Sequence, residues 1–151
     1  MKIKIISIGK LKSEFAPALN EYTKRLGRFC KFEIIELSES YLPENPSEVD
    51  IAKALSAEAV SIKKHIAGEA VALALDGKSM SSEDLAEYIK DKSELSFVIG
   101  SSHGLSREIL SEADLKLSFS KFTFPHSLMR VILAEQLYRA FMINSGSKYH
   151  K

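Results

Sequence analysis

Apolar residues recur along the chain at two alternating periods, and the alternation predicts an α/β fold. Ile3, Ile5, Ile6 and Ile8 form a β-branched run ending at Gly9, which reads as a strand. Phe15, Ala18, Leu19, Tyr22 and Leu26 then recur at helical spacing behind Ser13, the expected helix cap. Residues 32–37 predict a second strand, 41–47 a proline-containing loop, and 49–66 a helix with Ile51, Ala54, Leu55, Ala59 and Ile62 on one face. A third strand is expected over 70–75, broken by Asp76-Gly77; Ser81 and Asp84 are spaced as a capping pair for a helix over 83–90. Residues 95–99 read as a fourth strand, 107–111 as a short helix and 114–119 as a fifth strand. This order implies a mostly parallel sheet with helices on both faces. Ligands of such sheets sit beyond the carboxyl ends of the strands, so the loops after Leu75, Ile99 and Leu117 are candidates for a site.

The last helix, from about His126 to Ser145, is apolar at Leu128, Met129, Val131, Ile132, Leu133, Leu137, Tyr138, Phe141, Met142 and Ile143. Those positions cover too many faces for a surface helix, so it is either central or an oligomer interface. Glu135 and Arg139 have the i,i+4 spacing of a structural ion pair. Arg130 has no acid three or four residues away, so if buried it needs a partner on another strand, on another subunit or in a phosphate.

With 151 residues, 45% of them hydrophobic, the chain is expected to form one domain over 1–151. The net charge of +1 argues against coating nucleic acid through a general field, but the charge is uneven. Residues 116–151 hold six bases against Glu135 alone, and residues 1–35 hold eight bases against three acids, so the two ends form a basic face if they meet in the fold. Read by composition alone, many of these are solvated lysines. The lone Cys30 excludes an internal disulfide and a multi-cysteine metal site and reads as a small core residue. His65, His103, His126 and His150 lack metal-ligand spacing, so no metal is expected. His126 suits capping or packing as well as catalysis, and His150, so near the terminus, is expected to be disordered. The N-terminus is too short and too interrupted by lysine for a signal peptide, and no apolar run spans a bilayer; a cytoplasmic protein with no membrane partner is expected.

No dinucleotide-binding or P-loop motif is present. Gly100-Ser-Ser-His-Gly104 matches the G-x-S-x-G pattern of a nucleophile elbow, with Asp114 and His126 following in triad order. The chain is short for that hydrolase fold, no oxyanion segment precedes the motif, and Asp114 reads as the start of a strand. The alternative is a glycine turn that lets a planar ligand approach.

Phe97-Val-Ile-Gly100 with Gly104-Leu105, the stretch 117–126 (LSFSKFTFPH), the stretch 130–140 (RVILAEQLYRA) and the ending Tyr149-His-Lys151 resemble the RlmH (YbeA) family of SPOUT methyltransferases. Ile8-Gly-Lys-Leu-Lys12 and Glu21-Tyr22 with Arg25-Leu26 fit it too, so the resemblance covers the whole chain. It implies a SPOUT-type fold with a C-terminal trefoil knot, a homodimer, and S-adenosyl-L-methionine as cofactor for methylating N3 of a pseudouridine in a stem-loop of bacterial 23S rRNA. The mild net charge suits recognition of RNA shape, on an assembled ribosome, over naked sequence. By this resemblance cofactor binding falls on Leu73, Gly100, Phe119, Ser120, Lys121, Phe122, Thr123 and Phe124. Arg139, Tyr149 and His150 are candidates for positioning the acceptor, and Arg130, Lys148 and Lys151 for RNA contacts. One departure is Ser101, where the family commonly has a second glycine; serine fits there only if the backbone does not need a positive φ. A second class of reading, a ribosome-binding protein without catalysis, needs only the basic ends and the interface helix.

Overall fold

Two nearly continuous β-branched and aromatic runs fix the middle of the sheet. The computed structural model, which describes residues Met1–Lys151, has strands β1 (Lys2–Ile8), β2 (Lys31–Leu37), β3 (Glu69–Ser79), β4 (Glu94–Ile99) and β5 (Leu115–Ser118). Its helices are α1 (Ala16–Leu26), α2 (Glu48–Lys63), α3 (Ser82–Lys90), α4 (Arg107–Glu112) and α5 (His126–Asn144). The sheet order is β2-β1-β4-β3-β5 and every pairing is parallel. β1 and β4 are interior strands buried on both faces, which is why their sequences run apolar without strict alternation.

Successive side chains of β1 divide the core. Ile3 and Ile5 join Leu19 and Leu26 of α1, Leu85 and Ile89 of α3, and Leu133 and Leu137 of α5 in the larger cluster. Ile6 and Ile8 join Ala59 and Ile62 of α2 and Ile109 of α4 in the smaller one. Helices therefore cover both faces, and α5 lies on the more heavily covered side, with Leu133, Ala134, Leu137 and Ala140 fully buried. Met129 is buried as well, while Val131, Ile132 and Phe141 are only half-buried in the single chain.

Ser81 and Asp84 form a reciprocal capping box at α3, as their spacing predicts, and Ser47 with Asp50 does the same at α2. Ser13 does not cap α1. It opens a single 3-10 turn, Ser13–Phe15, that hands the chain to α1, where Pro17 occupies the first turn and its missing N–H costs no helical bond. Asp76-Gly77 does not end the third strand either. β3 pairs with Leu117 twice, through Leu73 and again through Lys78, so residues 74–77 bulge out and the strand resumes to Ser79. A side chain at Gly77 would meet the backbone of Lys116 and Leu117 at 2.8 Å, so this close approach requires glycine.

Candidate cofactor pocket and tail

The three strand ends marked by the parallel pattern converge on one cavity of about 790 Å³, within the usual range for small-molecule sites. The β3 bulge contributes Leu73, Ala74, Leu75 and Asp76; the turn after β4 contributes residues 99–105; the segment after β5 contributes Phe119, Ser120 and residues 122–126. Thus Leu73, Gly100, Phe119, Ser120, Phe122, Thr123 and Phe124 are brought together. Lys121 does not line the cavity and is exposed.

Local hydrogen bonds shape the walls. In the loop after β5 the Ser118 hydroxyl donates to the Ser120 carbonyl (3.1 Å) and the Phe122 N–H donates to Ser120 Oγ (3.0 Å). This turn leaves Phe122 78% exposed over the opening. In the turn after β4, Gly104 N–H donates to the Ser101 carbonyl at 2.9 Å. No residue other than glycine has a positive φ, so Ser101 is accommodated without strain. Gly100 is fixed for a different reason: a Cβ there would run into the Gly104 carbonyl.

Behind Ser101 lies a residue the sequence reading passed over. Glu58 of α2 is 4% exposed; it accepts from the Ser40 N–H at 3.0 Å and, more weakly, from the Ser101 hydroxyl at 3.4 Å. Burial raises its carboxyl above the ordinary range against the lowering effect of these bonds. The signal was available: Glu58 falls on the spacing Ile51, Ala54, Glu58, Ile62, a carboxylate on the apolar stripe of its helix.

Arg130 is not available to RNA. It is completely buried, donates to Glu36 Oε2 of β2 at 2.8 Å and also donates to the Gly9 carbonyl. Of the three partners open to it, the one present is another strand, and its assignment as an RNA contact is withdrawn. Burial pushes the Glu36 carboxyl up, but the Leu11 N–H and the Arg130 guanidinium together outweigh this and hold it below the ordinary value. His126 packs under Gly9, lines the cavity, and has its pKa lowered by burial and by adjacent Arg130.

The hydrolase triad does not assemble. Ser102 is exposed beside His103 Nδ1 (3.3 Å), and Asp114 is taken by the Ala70 N–H (2.7 Å), while His126 Nδ1 lies 3.4 Å from Arg130. The G-x-S-x-G match is thus only a turn.

The C-terminal residues fold back on α5. Tyr149 packs edge-on against Tyr138 (5.0 Å between centroids), sits under the Arg139 guanidinium at 4.9 Å, and donates to Glu135 Oε1 at 3.2 Å. Burial, with the Tyr22 hydroxyl and Glu135 nearby, pushes its phenol up to about 12, so it stays protonated at neutral pH. Arg139 pairs with Glu135 at 2.6 Å, the predicted i,i+4 pair. His150, expected to be loose, instead touches Glu83 at the start of α3 (2.7 Å) and lies 3.4 Å from Arg139. Lys148 and Lys151 are exposed. Arg139, Tyr149 and His150 therefore form one cluster, whereas Arg130 belongs to another part of the molecule.

Cys30 is half-buried and its thiol is pushed up to about 11 by burial. No group of three or more metal-ligating side chains occurs, and no helix is long and apolar enough to cross a membrane.

A family model described as "Predicted SPOUT methyltransferase" matches residues 1–150. The chain is similar to the protein named ribosomal RNA large subunit methyltransferase H from Clostridium novyi, with 50% identity, and to those from Levilactobacillus brevis and Clostridioides difficile, with 47% and 46%. Each alignment runs over 159 residues and covers 100% of both chains.

Proposed function

The chain belongs to the SPOUT methyltransferase family, and from that premise we propose that it transfers a methyl group from S-adenosyl-L-methionine to N3 of a pseudouridine in a stem-loop of bacterial 23S rRNA. It does so as a homodimer, with the knotted C-terminal segment of its family, on assembled ribosomes in the cytoplasm. The observation that carries this reading is the convergence of three strand-end loops on one cavity, at positions assigned to the cofactor independently of the geometry.

The residues present fit that cofactor. Leu73, Leu117, Phe119 and Phe124 offer an apolar bed for a flat adenine ring, and the backbone groups of residues 119–124 supply the donors and acceptors that would read its edge. Glycine at position 100 lets the chain pass the cavity floor at backbone distance. When bound, S-adenosyl-L-methionine supplies an electrophilic methyl on a sulfonium centre. The protein's own task is alignment, exclusion of water and help with the N3 proton. Tyr149, protonated at neutral pH and with its hydroxyl donating to Glu135, stacks on the acceptor and is not a base. Arg139 and His150 hold Tyr149 and its surroundings in place, and Lys148 and Lys151 bind RNA phosphates.

The test is incubation of purified protein and labelled S-adenosyl-L-methionine with ribosomes from cells lacking this gene, followed by mass mapping of the large-subunit RNA. A methyl on pseudouridine supports the proposal. Cofactor binding without label retains the pocket and overturns the substrate, while absence of cofactor binding returns the protein to the class of non-catalytic ribosome binders.

A further inference from the structure

The turn Gly9-Lys10-Leu11-Lys12 carries part of the family resemblance, yet it contributes nothing to the cavity. Its backbone is held with unusual thoroughness. Gly9 leaves β1 at φ +93, donates its N–H to the Leu37 carbonyl (2.8 Å), and accepts from Arg130. The Leu11 N–H donates to Glu36 Oε2 at 2.8 Å, and the Lys12 N–H to Ser127 Oγ at 3.1 Å. Arg130 and Ser127 are buried, and the Leu11 side chain packs against the larger core. Three side chains from two other elements thus fix a short surface turn.

What this scaffold leaves free is the pair of ammonium groups. Lys10 and Lys12 are exposed, and the ion pair beneath the turn, Arg130–Glu36, uses neither. Glu36 affects Lys10 electrostatically but is already committed to Arg130 and to Leu11. The turn adjoins the first residues of α5, whose N–H groups add positive potential. It also rests on His126, a wall of the cavity. Two cations on a pinned backbone at the rim of a site favour a polyanion strongly, because little backbone ordering remains to be done on binding.

We infer that Lys10 and Lys12 bind consecutive phosphates of the RNA strand that delivers its target base to the cavity, and that Arg130 and Glu36 are positioning residues for this clamp. The inference rests on the methyltransferase reading and names the RNA contact that the buried Arg130 cannot make. Each phosphate neutralised contributes about 0.7 to 0.9 to the slope of log affinity against log salt. The two lysines together make wild-type affinity fall about tenfold further between 50 and 200 mM monovalent salt than affinity without them.

The experiment measures KM for ribosomes at several salt concentrations, at fixed magnesium, for the wild type, K10A/K12A and K10R/K12R, with the Kd of S-adenosyl-L-methionine measured alongside. The expected result is a raised ribosome KM and a flatter salt slope for K10A/K12A, recovery in K10R/K12R, and one cofactor Kd for all three. A wild-type KM and salt slope in K10A/K12A overturns the clamp, as does a loss confined to kcat. Those outcomes leave the methyltransferase reading standing, whereas a wild type that binds cofactor but labels no ribosome overturns the substrate reading first.

Discussion

Replacing Gly100 with alanine is the sharpest probe of the pocket, because one methyl group meets backbone that cannot rotate away. The new Cβ would overlap the Gly104 carbonyl and approach Leu105 Cγ to 3.0 Å. Overpacking of this kind costs about 1 to 3 kcal/mol. If the turn yields instead, the Gly104 N–H to Ser101 carbonyl bond (2.9 Å) is lost, at about 1 kcal/mol. Taking the middle of the overpacking range, about 2 kcal/mol must appear somewhere, and about half that if the turn yields. If the wall moves, it appears as cofactor affinity, up to about thirtyfold in Kd at 1.4 kcal/mol per decade. If the wall holds, it appears as stability, roughly 4 to 8 °C in Tm for a chain of this size. Calorimetric titration with S-adenosyl-L-methionine and thermal unfolding of the same G100A sample read both channels. Ser101→Ala is the control, since its backbone conformation suits any residue. A G100A protein with wild-type Kd and wild-type Tm would refute the steric argument, and with it the placement of this turn in the pocket wall.

Three further outcomes are expected. Glu36→Ala strands a buried guanidinium and costs about 3 kcal/mol, the low end for a broken buried pair because Glu36 is itself 42% exposed; Arg130→Met leaves a solvated carboxylate and one unbonded Gly9 carbonyl and costs about 2 kcal/mol. Urea unfolding at one protein concentration checks this order. Since the folded Glu36 pKa is depressed, its contribution is present above the unfolded carboxyl value and shrinks as pH falls through the folded one, so wild type and Glu36→Ala converge in acid. Glu58 has the opposite sign: its raised pKa means that ionisation costs stability, so the Tm of Glu58→Gln is at or above that of wild type at neutral pH, and this advantage disappears below the pH where the carboxyl protonates. A Glu58→Gln protein less stable at neutral pH than in acid, relative to wild type, contradicts that assignment. Deleting residues 148–151 removes Tyr149 from its Tyr138 and Arg139 contacts and is expected to abolish methylation while the Kd for S-adenosyl-L-methionine stays within about twofold, equivalent to roughly 0.4 kcal/mol; methylation of ribosomes at the wild-type rate shows that the tail has no part in acceptor placement.

What was legible in the sequence is what depends on local spacing. Five strands and five helices follow from two hydrophobic periods, and the parallel sheet then points to strand-end loops, which is where the cavity lies. The capping box at Ser81 and the Glu135–Arg139 pair are local in the same sense. The β3 bulge was not legible, because Asp76-Gly77 is a turn signal by composition, and only the second pairing to Leu117, some forty positions away, tells a bulge from an end.

Arg130 shows where local reasoning stops and what replaces it. An arginine on an apolar helix in a basic segment looks like an RNA ligand, and its spacing shows only that it has no acid on its own helix. Burial sets a stronger condition than charge does: a guanidinium with no solvent exposure must be neutralised within the fold. The partner that does so, Glu36, stands 94 residues away on an edge strand beside the exit of β1. Once that pair is formed, Arg130 Nη2 donates to the Gly9 carbonyl and Glu36 accepts a second bond from the Leu11 amide, so the charge that seemed meant for RNA organises the turn carrying Lys10 and Lys12. Of the two basic ends of the chain, then, one supplies a buried cation that builds the turn and the other supplies the exposed cations the turn carries. A sequence that offers both types can be sorted only by asking which of them has water available when the chain is folded.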